Sequence, residues 1–188
     1  MIINTHFIDE DLAYDGQQLS SFWIRRQTGL TGDAMVSFIG QARVSDHMVD
    51  MEDREKKDFI YSPLMLHFIL EHFHMPLGEA VVRQRLLMAM IVEEIHRLQS
   101  TGVATLTRDG DDLFFAQRKL SVSIATLSPM SALVHIGLNV RTEGTPVPTA
   151  GLAELKVDPN TLANRVMQRY QSECVSMAEA LTKVLPVS

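Results

Sequence analysis

The side chains best suited to chemistry lie in one stretch of the chain, residues 119–140, which reads KLSVSIATLSPMSALVHIGLNV. Polar and apolar residues alternate in its first half, as in a strand with one buried face. One side of that alternation holds Lys119, Ser121 and Ser123. In the second half, apolar residues alternate with His135, Gly137 and Asn139. Both halves are therefore predicted to be β-strands.

The Leu-Ser-Pro-Met-Ser segment between these halves can reverse the chain, and antiparallel pairing would then bring both polar rows onto one surface. A lysine ammonium stabilises negative charge on oxygen, and an imidazole of near-neutral pKa exchanges protons at cellular pH. Lys119 and His135 are thus the candidate catalytic residues, although His135 could equally be a structural histidine. The two serines, Gly137 and Asn139 are candidate ligand contacts.

A second polar cluster, Asp46–Asp53, combines four carboxylates with His47. Such a cluster can bind a divalent cation, supply an acid and a base, or simply be a solvated loop. Within it, HMVD could be a short strand that points His47 at a ligand, and Asp50 is a further candidate contact. No cysteine pair or strict histidine motif accompanies His67 and Glu71, so no metal site is predicted.

The composition of the chain argues against several classes of protein. The formal charge of −6 and the lack of Lys/Arg runs argue against a nucleic-acid partner. No apolar run reaches the length of a membrane span, and the first residues do not resemble a secretion signal. Cys174 is the only cysteine, so no internal disulfide can form. We expect a single domain, 1–188, in the cytoplasm, with an exposed sheet edge that could support a homodimer.

Three helices are predicted: one beginning at Ser62-Pro63, one over 77–98, and one from Asn160 to about Lys183. A shorter helix is predicted over 17–27. Strands are predicted over 2–8, 33–44, 103–108 and 112–115, besides those in 119–140. The fold class is therefore α+β, a mainly antiparallel or mixed sheet covered by helices.

Lys119-Leu120, followed by His135-Ile136-Gly137-Leu138-Asn139-Val140, resembles the central motifs of biotin and lipoate protein ligases, Lys-Ile-(Ala/Gly)-Gly-Ile and Gly-Ile-Gly-Ile-Asn-Val. The likeness covers roughly residues 105 to 175 and includes Gly151-Leu152 and a strand-like 154–157. It implies a ligase-like, class II synthetase-like fold. The family's lysine contacts an acyl carboxylate or acyl phosphate, which implies that role for Lys119.

The chain departs from the ligases in two places. Their Gly-Arg-rich adenylate loop corresponds here to residues 40–44, where only Arg43 could hold a phosphate. Octanoyl transferases of this fold use a loop cysteine, and the matching loop here has none. More closely, the whole chain resembles the family called domain of unknown function 366, through HMVDMED, LHFILEHF, GDDLFF and KLSVSIATLSPMS.

We therefore expect a protein that binds a small carboxylate or a nucleotide-like ligand over its central sheet, with Lys119 as the electrostatic anchor. Any reaction would be acyl or adenylyl transfer. The competing interpretation is a non-catalytic binding or dimerisation domain that lacks the activation chemistry. The identity of any cofactor, and the use of ATP, stay open.

Overall fold

A computed structural model describes residues 2–56, 59–99 and 105–187 and has the predicted α+β class. Its helices are α1 (Trp23–Thr28), α2 (Met51–Lys56), α3 (Leu77–Leu98) and α4 (Pro159–Ala180). Its strands are β1 (Asn4–Phe7), β2 (Ala34–Val44), β3 (Ile60–Phe73), β4 (Leu106–Asp109), β5 (Asp112–Phe115), β6 (Arg118–Lys119), β7 (Ser121–Leu127) and β8 (Ser131–Arg141).

The main sheet has five strands in the order β1-β2-β3-β8-β7, and β4, β5 and β6 form a smaller antiparallel sheet. Only β1 runs parallel to its neighbour; β2, β3, β8 and β7 pair antiparallel. Helices α3 and α4 cover one face of the main sheet, which we call the helix face. Their apolar sides bury Leu87, Ile91 and Val166 against Phe68 and Ile136.

Residues 8–31, which include α1, cross the opposite face of the main sheet, which we call the cavity face. Ile8, Tyr14 and Ile24 pack there on Val36 and Phe38. A β-carbon on Gly40 would lie 1.9 Å from the carbonyl oxygen of Leu12, so this close approach requires a glycine.

Strand β3 overturns the prediction of a helix beginning at Ser62-Pro63. It is the central strand of the main sheet, and every residue from Met65 to His72 is buried. A strand buried on both faces loses the polar-apolar alternation, so the spacing of Leu64, His67 and Glu71 imitated a helix. Pro63 fits because it lies beside a register irregularity at Leu64/Met65, where a ladder donor can be omitted.

The pairing of β7 with β8 also differs from the prediction. Ser121 and Ser123 lie opposite Leu138 and Ile136, whereas Val122 and Ile124 lie opposite Gly137 and His135. The polar row of β7 thus shares the helix face with the apolar row of β8. A shift of one residue in register moves every side chain to the other face, and the short turn after Leu127 sets that register.

Other local predictions have mixed outcomes. The helix over 77–98, the strand ending at Val44 and the final helix are confirmed, the last with Asp158 accepting from the backbone N–H of Thr161. The charged segment before Lys56 contains helix α2 and not only a loop, and HMVD is not a strand. Residues 154–156 form turns and Val157 is irregular, so 154–157 is not a strand. Residues 103–104 of the predicted strand 103–108 lie outside the described residues.

Candidate functional site

A cavity of about 490 Å³ opens on the cavity face of the main sheet, over β8 and β7. Its apolar lining comes from Met65, Val122 and Ile124 on the sheet and Met48 from the segment before α2. Its polar lining includes Tyr14, Lys119, His135 and Asn139. The two strands that the sequence singled out therefore do meet at a concave surface.

Lys119 lies at one side of this cavity, and its side chain is 34% exposed. Its Nζ is 2.9 Å from Oδ2 of Asp112 on β5. The backbone around it is fixed on both sides, because its N–H donates to the carbonyl of Pro148 and its carbonyl accepts from the N–H of Ala150. The ammonium group is thus held at the cavity by a carboxylate, which also offsets its charge.

Asn139 ties β8 to the residue that carries the ammonium. Its Nδ2 donates to the carbonyl oxygen of Lys119 at 3.4 Å, and its backbone N–H donates to Leu120 at 2.9 Å. Asn139 is only 4% exposed but lines the cavity. The predicted proximity of Lys119 and Asn139 is therefore present, and the carboxamide positions the local backbone.

His135 is buried and is part of a histidine pair. Its Nε2 lies 3.1 Å from Nδ1 of His67 on β3, and the ring of Tyr14 stacks on it with centroids 3.8 Å apart. Burial lowers the pKa of His67 to about 3, although the hydrogen bond with Gly40 opposes this. Burial, and then the charge that His67 would carry, also lower the pKa of His135 well below its usual value. The expected near-neutral pKa of His135 is wrong, and its imidazole stays neutral.

Both predicted serines bond within the fold rather than sharing a face with His135. The Ser121 hydroxyl accepts from the backbone N–H of Leu113 at 2.8 Å. The Ser123 hydroxyl accepts from Gln84 of α3 at 2.6 Å and donates to the carbonyl of Asp111 at 3.0 Å. Both serines border the cavity, where they fasten β7 to the smaller sheet and to α3.

Gly137 and Arg43 are placed less favourably for ligand contact. A β-carbon on Gly137 would lie 2.3 Å from Sδ of Met65, so the methionine already occupies the space over the glycine. Arg43 is exposed on β2, where it pairs with Tyr61, and it is not among the residues that line the cavity.

The acidic segment does reach the cavity. His47 and Asp50 both line it, and Oδ1 of Asp50 accepts from the backbone N–H groups of Glu52 and Asp53 at the start of α2. No group of three or more potential metal ligands occurs among the described residues. Asp50 therefore acts at least as the cap of this short helix.

The charges around the cavity are mostly negative. Lys119 is the only Lys or Arg in the described lining, which holds five carboxylates: Asp50, Glu52, Asp53, Asp111 and Asp112. Asp111 bonds to Arg85 at 3.0 Å, and Asp112 is paired with Lys119. The cavity can accommodate one anionic group at the ammonium but opposes several negative charges.

Sequence reasoning missed three residues that shape this site: Tyr14, Met65 and Asp112. Tyr14 arrives from the crossing segment, far from His135 in sequence, and no local pattern indicates that contact. Met65 lies in a segment whose spacing predicts a helix. Only the position of Asp112 is indicated by the sequence, because the Asp109-Gly110 turn predicts a hairpin that returns the chain towards Lys119.

Comparison with known proteins agrees with this architecture. The sequence profile of the family described as domain of unknown function (DUF366) matches residues 3–185. An uncharacterized protein of Methanocaldococcus jannaschii is 32% identical over 189 residues, covering 96% of this chain and 84% of that protein. The solved structure of a protein of unknown function from Pyrococcus horikoshi is 37% identical, with a TM-score of 0.91, and covers 99% of this chain and 100% of that one.

Two more distant structures share the fold. A biotin protein ligase mutant from Aquifex aeolicus, in complex with biotin, has a TM-score of 0.62 at 15% identity and covers 94% of this chain and 72% of that one. A putative lipoate protein ligase from T. acidophilum, with bound lipoic acid, has a TM-score of 0.56 at 14% identity, covering 93% and 86%. The fold is thus biotin/lipoate-ligase-like, as predicted. In the described residues, no helix is long and apolar enough to cross a membrane.

Proposed function

The chain belongs to the DUF366 family and has a biotin/lipoate-ligase-like fold, and from its cavity we propose that it binds a small organic monocarboxylate with an apolar body. The observation that carries this proposal is the pairing of an apolar lining with one ammonium group in a cavity of about 490 Å³. Ligand sites of that size commonly combine apolar walls with a few oriented polar groups.

The two ends of the cavity suit the two parts of such a ligand. Met65, Val122 and Ile124 offer an apolar surface for the body. Lys119 has three N–H donors, so its contact with Asp112 leaves donors for a ligand carboxylate. The ion pair with Asp112, on a backbone held by hydrogen bonds at residue 119, restricts that ammonium before the ligand arrives, which reduces the entropy lost on binding.

Charge argues against the nucleotide-like ligand that the resemblance also suggested. A nucleoside triphosphate carries several negative charges, and five carboxylates border this cavity against one ammonium. Arg43, the one cation of the loop that corresponds to the ligases' adenylate loop, lies outside the lining. Adenylyl transfer therefore has little electrostatic support here.

The choice between acyl transfer and binding alone depends on a proton-transfer group. His135 is the candidate, but burial and the neighbouring His67 lower its pKa well below the usual value, which makes it a weak proton acceptor. This observation favours the non-catalytic alternative from the sequence. We propose binding of the carboxylate as the function, with dimerisation as a separate property that oligomeric-state measurements would test.

Thermal unfolding and calorimetry with octanoate, lipoate, biotin and ATP test the proposal. At least one carboxylate should raise Tm, because a ligand of the native state stabilises it, whereas ATP should have no effect. Lys119→Ala should weaken carboxylate binding by about ten-fold or more, the worth of a charge-assisted hydrogen bond.

Arg118→Ala is the matched control. Arg118 is the neighbouring cation, is similarly exposed at 37%, is ion-paired with Glu154, and does not line the cavity. This variant should bind carboxylates as the wild type does. The proposal fails if no carboxylate binds, or if Lys119→Ala and Arg118→Ala behave alike.

A further inference from the structure

Two neutral histidines lie at the cavity, and geometry assigns the hydrogens of both rings. His135 lines the cavity, and His67 contacts it from the protein interior. His67 on β3 and His135 on β8 are completely or almost completely buried, with 0% and 3% exposure. Nδ1 of His67 lies 3.1 Å from Nε2 of His135, and Nε2 of His67 lies 3.3 Å from the carbonyl oxygen of Gly40. Each of these contacts needs one donor and one acceptor.

The carbonyl oxygen of Gly40 fixes the direction of the whole chain of bonds. A carbonyl only accepts, so Nε2 of His67 must carry the hydrogen. A neutral imidazole has one N–H, so Nδ1 of His67 is an acceptor. Nε2 of His135 must then donate to it, and the remaining nitrogen of His135, Nδ1, has a lone pair and no hydrogen.

We propose that Nδ1 of His135 is a specificity subsite that accepts a hydrogen bond from a neutral donor, a hydroxyl or an amide N–H, on the ligand. His135 lines the cavity, and within the described residues its ring bonds only through Nε2. This subsite would bind a second polar group of the proposed carboxylate ligand. The inference therefore specifies the proposed function further and rests on it.

Packing holds this acceptor in a fixed direction. The ring of Tyr14 lies on His135 at an interplanar angle of 14°, and the ring of Phe38 lies on His67 with centroids 4.6 Å apart. The two imidazoles therefore cannot rotate independently. A preorganised acceptor of this kind discriminates against a ligand that lacks the donor.

The same surroundings favour a neutral donor over an ammonium group. Transfer of a cation to a position against a nearly buried imidazole is costly unless an anion lies beside it. The groups that contact His135 are the neutral rings of His67 and Tyr14. The lining carboxylates belong to other segments, namely α2 with the residue before it and the β4–β5 hairpin.

Nitrogen-15 NMR of the histidine side chains tests the assignment in the ligand-free protein. Both His67 and His135 should show an N–H at Nε2 and an unprotonated Nδ1. Titration with neutral primary amides and alcohols should then shift the Nδ1 signal of His135. The nitrogens of His72, which are bonded to Asp33 and Tyr170, are the internal control and should not move.

A second test of the subsite compares pairs of ligands that differ only in the hydrogen-bond donor. Medium-chain carboxylates with a hydroxyl or primary amide at the far end should bind about ten-fold more tightly than the methyl ether or the N,N-dimethylamide, which lack the donor; this is the worth of one buried neutral hydrogen bond. His135→Phe should remove that preference while leaving the contribution of Lys119. Arg118→Ala should keep both.

The outcomes separate the two proposals. A hydrogen on Nδ1 of His135, or neutral amides that leave its signal unchanged, would overturn the subsite even if carboxylates bind. Equal affinity for methylated and unmethylated ligands would do the same. If no carboxylate binds but amides shift the signal, the proposed function fails and the donor subsite stands.

Discussion

Strand β3 carries two histidine networks on its opposite faces, and they differ in one respect. On the helix face, His72 places Nδ1 2.9 Å from Asp33 and Nε2 2.9 Å from the hydroxyl of Tyr170, so both nitrogens are bonded within the fold. On the cavity face, the bonds from Gly40 through His67 to His135 leave one nitrogen at the end of the network without a partner among the described residues.

Spare hydrogen-bonding capacity therefore lies on the cavity face of β3 and not on its helix face. A closed network specifies the fold, since every polar group has its partner and its removal leaves a buried group unsatisfied. An open network beside a cavity has one vacant position that a ligand can fill. Burial alone does not separate the two cases, because all three histidines are at most 3% exposed.

The largest expected effect is on the closed network. His72→Leu should lower the free energy of unfolding by about 3 kcal/mol, because the largely buried Asp33 carboxylate and the Tyr170 hydroxyl each lose their hydrogen bond to His72. His135→Leu should cost about 1 kcal/mol, because only a neutral nitrogen of His67 loses its donor. Urea unfolding measures both, and equal losses would contradict the expected difference between the two networks.

Acid should act on the two networks in different pH ranges. The folded pKa values of His67 and His135 lie below their unfolded values, so the unfolded chain binds more protons and stability falls as pH drops below about 6.5. Each histidine contributes a slope of about 1.4 kcal/mol per pH unit there. The double variant His67→Phe/His135→Phe should give a flatter curve between pH 6.5 and pH 4.

Asp33 responds only at lower pH. Burial raises its pKa, but hydrogen bonds from His72 and the N–H of Phe73, with the charges of His72 and Arg83, outweigh this and lower it. The contribution of Asp33 to the free energy of unfolding is complete above about pH 3.9, the pKa of an unfolded aspartate. It is lost as pH falls through the lower pKa that Asp33 has in the folded protein. A wild-type curve without a slope between pH 6.5 and pH 5 would contradict the assignment of neutral histidines.

A pair of tyrosine variants should give a smaller contrast. Tyr170→Phe removes the partner of Nε2 of His72 and should cost about 1 kcal/mol. Tyr14→Phe keeps the ring that stacks on His135 and should cost less than about 0.5 kcal/mol. Each variant removes one hydroxyl, and thermal or urea unfolding measures both. A larger loss of stability in Tyr170→Phe would show that the Tyr170 hydroxyl is the one that stabilises the fold.

The smallest effect should come from Lys119→Ala. Its pair with Asp112 is about one-third exposed on each side, and such pairs contribute little to stability because water and salt screen them. We expect a change below about 0.5 kcal/mol in urea unfolding, together with the loss of carboxylate binding described above. A large loss of stability would mean that Lys119 is a structural residue.

Much of the fold was readable from local patterns. Helix α3 has a clear helical period, and α4 begins at Asp158-Pro159, where the carboxylate caps the first turn. Strand β8 alternates His135, Gly137 and Asn139 with apolar residues, and these three do face the same side. The ligase-like motifs around Lys119 then indicated the fold itself.

The rest depended on contacts that local sequence does not contain. Strand β3 lacks alternation because both of its faces are covered, and only the complete fold reveals this. The face of Ser121 and Ser123 depends on a register that differs by one residue from the expected one. The partner of His135 is His67, on a segment that was predicted to be helical, so the histidine pair could not be anticipated.

The cavity joins distant parts of the chain, with Tyr14 from the N-terminal crossing segment and Lys119 and His135 from the C-terminal half. Closing such long loops is slow, so the cavity should be among the last features to form during folding. A fluorescent compound that binds there would therefore signal completed folding. Added during refolding, it would bind the native protein and not partly folded intermediates.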